Sequence, residues 1–177
     1  MYRFTATHKL NRSPLAVEVP VSSFEYPHFG NLWSADFLHG PKVRCGRYMR
    51  KTYLNAIIDD ATRYIVVARF HLAEDTRSFL SDLLLAIRRF GIPQRLYTDN
   101  GSAYRSNHLA MICAKLRIAM PHTPPYKPRG RGKIERFFRG VREAFLDEYT
   151  PVTLQQLNTS FSHWLQEHNN RPHRAMG

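Results

Sequence analysis

A mixed α/β sheet is the fold class this chain predicts, and three observations point to it. Three extended runs rich in β-branched and aromatic residues come first, between residues 32 and 70. After them, apolar residues at helical spacing alternate with short extended runs, the order expected of a sheet with helices packed on it. At 177 residues, 43% of them hydrophobic and 12% aromatic, the chain is large enough to bury one core and too apolar to stay disordered.

The elements follow in order. Residues 1–25 show neither period for any length and read as an arm entering the domain formed by residues 26–177. Leu32 to Leu38 predicts a strand closed by His39-Gly40-Pro41. Tyr53 to Ile58 and Tyr64 to Phe70 predict a hairpin, with Asp59 and Asp60 expected only to shape its turn. A helix is predicted from an N-cap at Thr76 through Phe79, Leu80, Leu83, Leu84, Ile87 and Phe90, ended by Gly91 and Pro93. Short strands are expected at Arg95 to Thr98 and Ile118 to Met120, with a helix over Asn107 to Leu116 between them. Beyond the breaker-rich stretch Pro121 to Gly132, a helix over Lys133 to Tyr149 buries Ile134, Phe137, Phe138, Val141 and Phe145. The last helix, about 153–169, opens on a capping box of Thr153 and Gln156.

Charge narrows the function. The formal net charge of +12 predicts a polyanionic partner. Half of it lies in Lys127 to Arg142, where Lys127, Arg129, Arg131, Lys133, Arg136, Arg139 and Arg142 surround one acid, Glu135. A membrane would also attract such charge, but no apolar run approaches the roughly 20 residues of a spanning helix. No signal peptide opens the chain, so a reducing cytosol is expected. Cys45 and Cys113 form neither a zinc pattern nor a disulfide framework. His163, His168 and His173 fall five apart, a spacing that does not stack on one helix face.

Against this basic background three acids stand apart. Asp36 interrupts an aromatic run, and Asp99 is the only carboxylate between Asp82 and Glu135, with 35 residues between Asp99 and Glu135. Carboxylates mid-strand, at a strand end and near a helix start can hold two divalent ions about 3.5–4 Å apart, which clamp the attacking and leaving oxygens of a phosphodiester displacement. Two carboxylates about 4 Å apart repel by roughly 4 kcal/mol at an effective dielectric near 20, so such a site takes up Mg²⁺ or Mn²⁺ readily. Each acid also has a plainer reading: Asp36 bonded to backbone, Asp99 in an Asp-Asn-Gly turn, Glu135 paired with Arg139 one helical turn away.

The segments Trp33-Ser34-Ala35-Asp36, Ile58-Asp59-Asp60-Ala61-Thr62-Arg63, Thr98-Asp99-Asn100-Gly101-Ser102 and Arg129 to Phe137 resemble the integrase core (the DDE type) of bacterial insertion-sequence transposases, to which the retroviral integrase core is similar. Asn169 to Ala175 resembles the closing motif of that core. The resemblance implies a ribonuclease-H-like fold with a five-stranded mixed sheet, three antiparallel strands followed by parallel ones, flanked by helices. It implies Asp36, Asp99 and Glu135 as catalytic ligands of two Mg²⁺ (or Mn²⁺) ions, which serve 3′-end nicking and then strand transfer. Double-stranded DNA, both element ends and target, is the implied partner, held by a homo-oligomer without an organic cofactor in the bacterial cytoplasm. Lys127, Arg129, Arg131, Lys133, Arg139 and Arg142 are the expected DNA contacts, Arg139 and Arg142 matching positions that grip the DNA end in retroviral relatives. Members usually carry a helix-turn-helix before the core, and the chain is expected to be a fragment without it. A nuclease that only hydrolyses, or a non-catalytic DNA-binding module, are the alternative readings.

Overall fold

Strands β1 (Trp33–Cys45), β2 (Tyr48–Asp59), β3 (Ile65–His71) and β4 (Leu96–Tyr97) form one mixed sheet in the order β3-β2-β1-β4. The structure is a computed structural model that describes residues 26–99, 101–120, 132–147 and 153–171. β1, β2 and β3 pair antiparallel, and β4 joins β1 in parallel, the arrangement that the resemblance implies. The fifth strand does not form among the described residues. Ile118 to Met120 contributes a single bridge, between Arg95 and Ala119, so four strands of the sheet lie among the described residues.

β1 is the larger departure from expectation. His39-Gly40-Pro41 does not close it. The strand slips register between His39 and Lys42 and continues to Cys45, so a bulge absorbs the proline that cannot donate to the ladder. Gly40 is required there, because a Cβ would stand 2.6 Å from Thr52 Oγ1 and 2.7 Å from the Phe70 ring. Thr52 Oγ1 donates to the Pro41 carbonyl and holds the bulge.

Helices cover both faces. Along β1, Trp33 and Ala35 enter one core with Phe79, Leu83 and Ala86 of α1 (Thr76–Phe90) and Leu109 and Cys113 of α2 (Asn107–Lys115). Leu38 and Val43 enter the other with Ile134, Phe137, Phe138 and Val141 of α3 (Gly132–Val141) and Leu157 and Phe161 of α4 (Leu154–Asn170). The predicted apolar stripe of α3 is buried throughout, although the helix loosens into a π-helical turn at Arg142–Leu146, which carries Phe145. The α4 capping box forms as predicted. On α1 the N-cap is Asp75 rather than Thr76. Asp75 accepts from Ser78 N–H, which lowers its pKa below the ordinary carboxylate value, while the Thr76 hydroxyl donates to the Ala103 carbonyl.

Polar groups lock these layers. Asp82 on α1 is fully buried and bonds Asn55 Nδ2 at 2.8 Å and His71 Nε2 at 2.7 Å, with Arg69 Nη1 at 3.5 Å. On the other face, α4 runs along the outer edge of β3. Asn158 bonds both the N–H and the carbonyl of Phe70, and Asn169 does the same at Ile65. The fit is metric: eleven helical residues rise about 16 Å, the length of five residues of strand. These amides stand where a further strand would pair, so they blunt the edge.

Candidate functional site

The parallel pairing of β1 with β4 places the first two candidate acids. Trp33 lies opposite Leu96 and Ser34 opposite Tyr97. Asp36 stands two residues beyond Ser34, and Asp99 two beyond Tyr97, so both reach the same level of neighbouring chains. Alternation along β1 turns Asp36 to the sheet face covered by α3 and α4, the face that Leu38 also enters. Both acids are half-buried. Asp36 Oδ1 accepts from the Phe37 N–H at 2.8 Å, and Asp99 Oδ1 accepts from the Gly101 N–H at 2.7 Å. Gly101 is dictated by that approach, since a Cβ on it would stand 2.7 Å from the same Asp99 oxygen.

Glu135 lies in the first turn of α3 and is exposed, while its neighbour Ile134 is buried against the sheet. Among the described residues, no three His, Cys, Asp or Glu side chains are gathered closely enough to hold a metal ion. Asp36, Asp99 and Glu135 therefore do not form a closed three-ligand cluster here. The donor chemistry nonetheless fits a hard divalent cation: one carboxylate on β1 and one just beyond the end of β4, with a third on a helix packed over that face.

The expected DNA contacts divide. Lys127, Arg129 and Arg131 lie outside the described residues, and Arg139 and Arg142 are exposed on α3 and the turn after it. Lys133 is not a solvated cation. Its ammonium is 2.7 Å from Asp60 Oδ1 and 2.9 Å from the Asp60 carbonyl, with the Lys133 side chain 17% exposed and the Asp60 side chain 3%. Asp60 thus does more than shape a turn: it ties the start of α3 to the end of β2, two residues before Glu135. Asp59 keeps the expected role, accepting from the Thr62 N–H and hydroxyl and also from the Gly30 N–H.

Sequence reasoning missed Tyr104. Its ring packs on Phe37 at 5.8 Å and Phe79 at 4.9 Å, and its buried hydroxyl has no hydrogen-bond partner among the described residues. Burial, and then the charges of Asp36 and Glu74, hold that hydroxyl well above its ordinary pKa of 10.0. The interaction with Asp36 puts Tyr104 beside the candidate site. Nothing in its sequence context distinguishes it from a core aromatic.

Comparison with known proteins returns one family in two overlapping stretches. An integrase core domain matches residues 27–128, and a second integrase core domain matches residues 116–177. The Gag-Pro-Pol polyprotein of sheep pulmonary adenomatosis virus is 31% identical over 134 residues, 72% of this chain and 7% of the polyprotein. The transposase for transposon Tn552 of Staphylococcus aureus is 45% identical over 58 residues, 33% of this chain and 12% of the transposase. The chain thus spans about a tenth of the length of these relatives. Among solved structures, a simian T-cell lymphotropic virus intasome in complex with the PP2A regulatory subunit B56 gamma aligns with a TM-score of 0.67 at 25% identity, covering 85% of this chain and 52% of that one. The HTLV-2 integrase catalytic core domain in complex with magnesium, in its trimeric form, aligns with a TM-score of 0.52 at 20% identity, covering 81% of this chain and 76% of that one.

Proposed function

Because the chain belongs to the integrase core domain family, matched over residues 27–128, we propose that it is the catalytic core of a DDE-type transposase or integrase. In this reading it performs divalent-metal-dependent nicking of DNA 3′ ends and joins them to a target duplex. The observation that carries it is the level placement of Asp36 and Asp99 on parallel neighbours, with Glu135 on the helix that covers their face. Magnesium in a solved neighbour of the same fold supports the choice of cation.

Asp36 on β1 and Asp99 just beyond β4 would hold the ions, and Glu135 would complete the set from α3. Bound there, two divalent ions supply a polarised nucleophile and charge stabilisation at the phosphate. The protein's own work is positional. The Phe37 and Gly101 N–H groups orient one oxygen of each Asp, and the Asp60–Lys133 tie sets the start of the helix that bears Glu135. Arg139 on the exposed side of that helix and Arg142 on the turn after it steer the DNA backbone toward the carboxylates. A homo-oligomer on DNA would bring two ends to one target.

The test is a Mn²⁺- or Mg²⁺-dependent assay on duplex DNA with a recessed 3′-hydroxyl end, with Asp99→Asn as the control. Joined products from the wild-type chain, lost in Asp99→Asn, support strand transfer. Nicks without joined products identify a hydrolytic nuclease. Metal-dependent products unchanged by Asp99→Asn defeat the assignment, and DNA binding with no metal-dependent product from any substrate leaves a binding module.

A further inference from the structure

The bulge at Gly40-Pro41 allows β1 and β2 to continue as a two-stranded ribbon, and the ribbon is strongly basic. From Lys42 to Lys51 it carries Lys42, Arg44, Arg47, Arg50 and Lys51 with no acid, and all five are exposed. β3 reaches only to the pair Tyr53–His71, so this part of the sheet has strand neighbours on one side alone. Near its tip Tyr48 is 76% exposed and Met49 58% exposed.

We infer that this ribbon is a second DNA-binding surface, which enters the major groove of the duplex held at the carboxylates. The inference rests on the reading of DNA as this chain's substrate. Two features favour a duplex groove. Lys42 pairs directly with Lys51 across the ribbon, an arrangement that destabilises the free protein and is relieved by an anion. The cations occupy both faces. Lys42, Lys51 and Arg44 share one, Arg50 projects from the other beside Tyr48, and Arg47 sits at the turn. A membrane or a flat acidic protein meets one face, whereas a groove offers phosphate on both walls, and a B-DNA major groove about 12 Å wide admits a two-stranded ribbon.

Reach agrees with this. Lys42 is six residues beyond Asp36 on the same strand, about 20 Å, and Cys45 about 30 Å. At about 3.4 Å per base pair, the ribbon meets the backbone some six to nine pairs from the carboxylates. The base is firm: Val43 is fully buried, and Arg44 bridges Thr153 at the start of α4.

The experiment compares the full chain with the triple variant Arg47→Gln/Arg50→Gln/Lys51→Gln, titrating a 30-pair duplex across a salt series by fluorescence anisotropy. The log–log salt slope is expected to become shallower by about 2.7, with affinity near 0.1 M salt down about tenfold or more. Nicking of duplexes that extend fewer than about six pairs toward the ribbon is expected to stay at wild-type level. The single variant Lys42→Gln is expected to weaken DNA binding while raising the melting temperature by about 1–3 °C, a combination that no structural role gives. An unchanged slope in the triple variant overturns the inference, as does a loss confined to anionic vesicles or one equal on duplex RNA. Ribbon-dependent DNA binding with no metal-dependent cleavage would instead defeat the catalytic reading and leave this surface standing.

Discussion

Replacing Lys133 with Met separates a structural cation from a DNA-binding one. Its ammonium lies 2.7 Å from Asp60 Oδ1, and the Asp60 side chain is 3% exposed. Removing one partner from a buried ion pair costs about 3–5 kcal/mol, because the survivor stays desolvated and unpaired. Two features reduce that here: Lys133 keeps 17% exposure, and Asp60 Oδ2 still accepts from the Tyr26 N–H at 3.2 Å. A loss of about 2–3 kcal/mol follows, or about 5–10 °C in melting temperature for a domain of this size. A solvated surface lysine would change stability by about 0.5 kcal/mol or less. Thermal melts with urea titration measure the loss, and a salt series on duplex DNA measures the role in binding. The expected result is a clear loss of stability with an unchanged salt slope. A melting temperature within about 2 °C of wild type, with the slope shallower by about 0.9, would refute the reasoning and return Lys133 to the phosphate contacts.

Three other outcomes follow from particular contacts. Gly101→Ala puts a methyl 2.7 Å from Asp99 Oδ1, so metal-dependent nicking is expected to fall at least tenfold while the melting temperature moves by only about 1–3 °C; equal loss of both would mean that the turn, not the carboxylate, is disturbed. Tyr104 has a raised folded-state pKa, so its contribution to stability is complete below about pH 10 and fades as pH rises above that. The stability of the wild type is therefore expected to fall by up to about 1.4 kcal/mol per pH unit above pH 10 relative to Tyr104→Phe, in urea titrations at several pH values. Identical alkaline profiles would contradict this. Asn169→Ala strips two bonds from Ile65, for an expected loss of about 1–3 kcal/mol and greater self-association through the uncovered β3 edge, measured by melts and light scattering.

What the chain discloses in advance depends on how local the signal is. Helical periodicity exposes the α3 stripe of Ile134, Phe137, Phe138, Val141 and Phe145, all of which are buried, and Thr153 with Gln156 announces its own cap. The fifth strand is not seen among the described residues, where Ile118 to Met120 carries a single bridge from Ala119 to Arg95. Gly40-Pro41 has the composition of a terminator and serves as a bulge, a choice made by Thr52 and Phe70 on other strands. A strand that ends there leaves the basic run beyond it with no element to belong to. The same limit applies to the site. Three isolated acids stand out by contrast with their surroundings, and the level placement of Asp36 and Asp99 requires only that their strands be parallel neighbours. Lys133 sits in a basic run whose look is that of a DNA grip, and its partner lies 73 residues away in the chain. Asn158 and Asn169 carry no signal until α4 is laid along β3.

Calorimetric titration of the full chain with Mn²⁺ and with Mg²⁺ tests the assignment of the carboxylates most directly, because it reads the ligands without requiring the right DNA. Saturable binding by the wild-type chain is expected, lost in Asp36→Ala and in Asp99→Ala and weakened in Glu135→Gln, with each variant's melt confirming that it is folded. Binding that persists unchanged in folded Asp36→Ala would place the metal elsewhere and contradict the account.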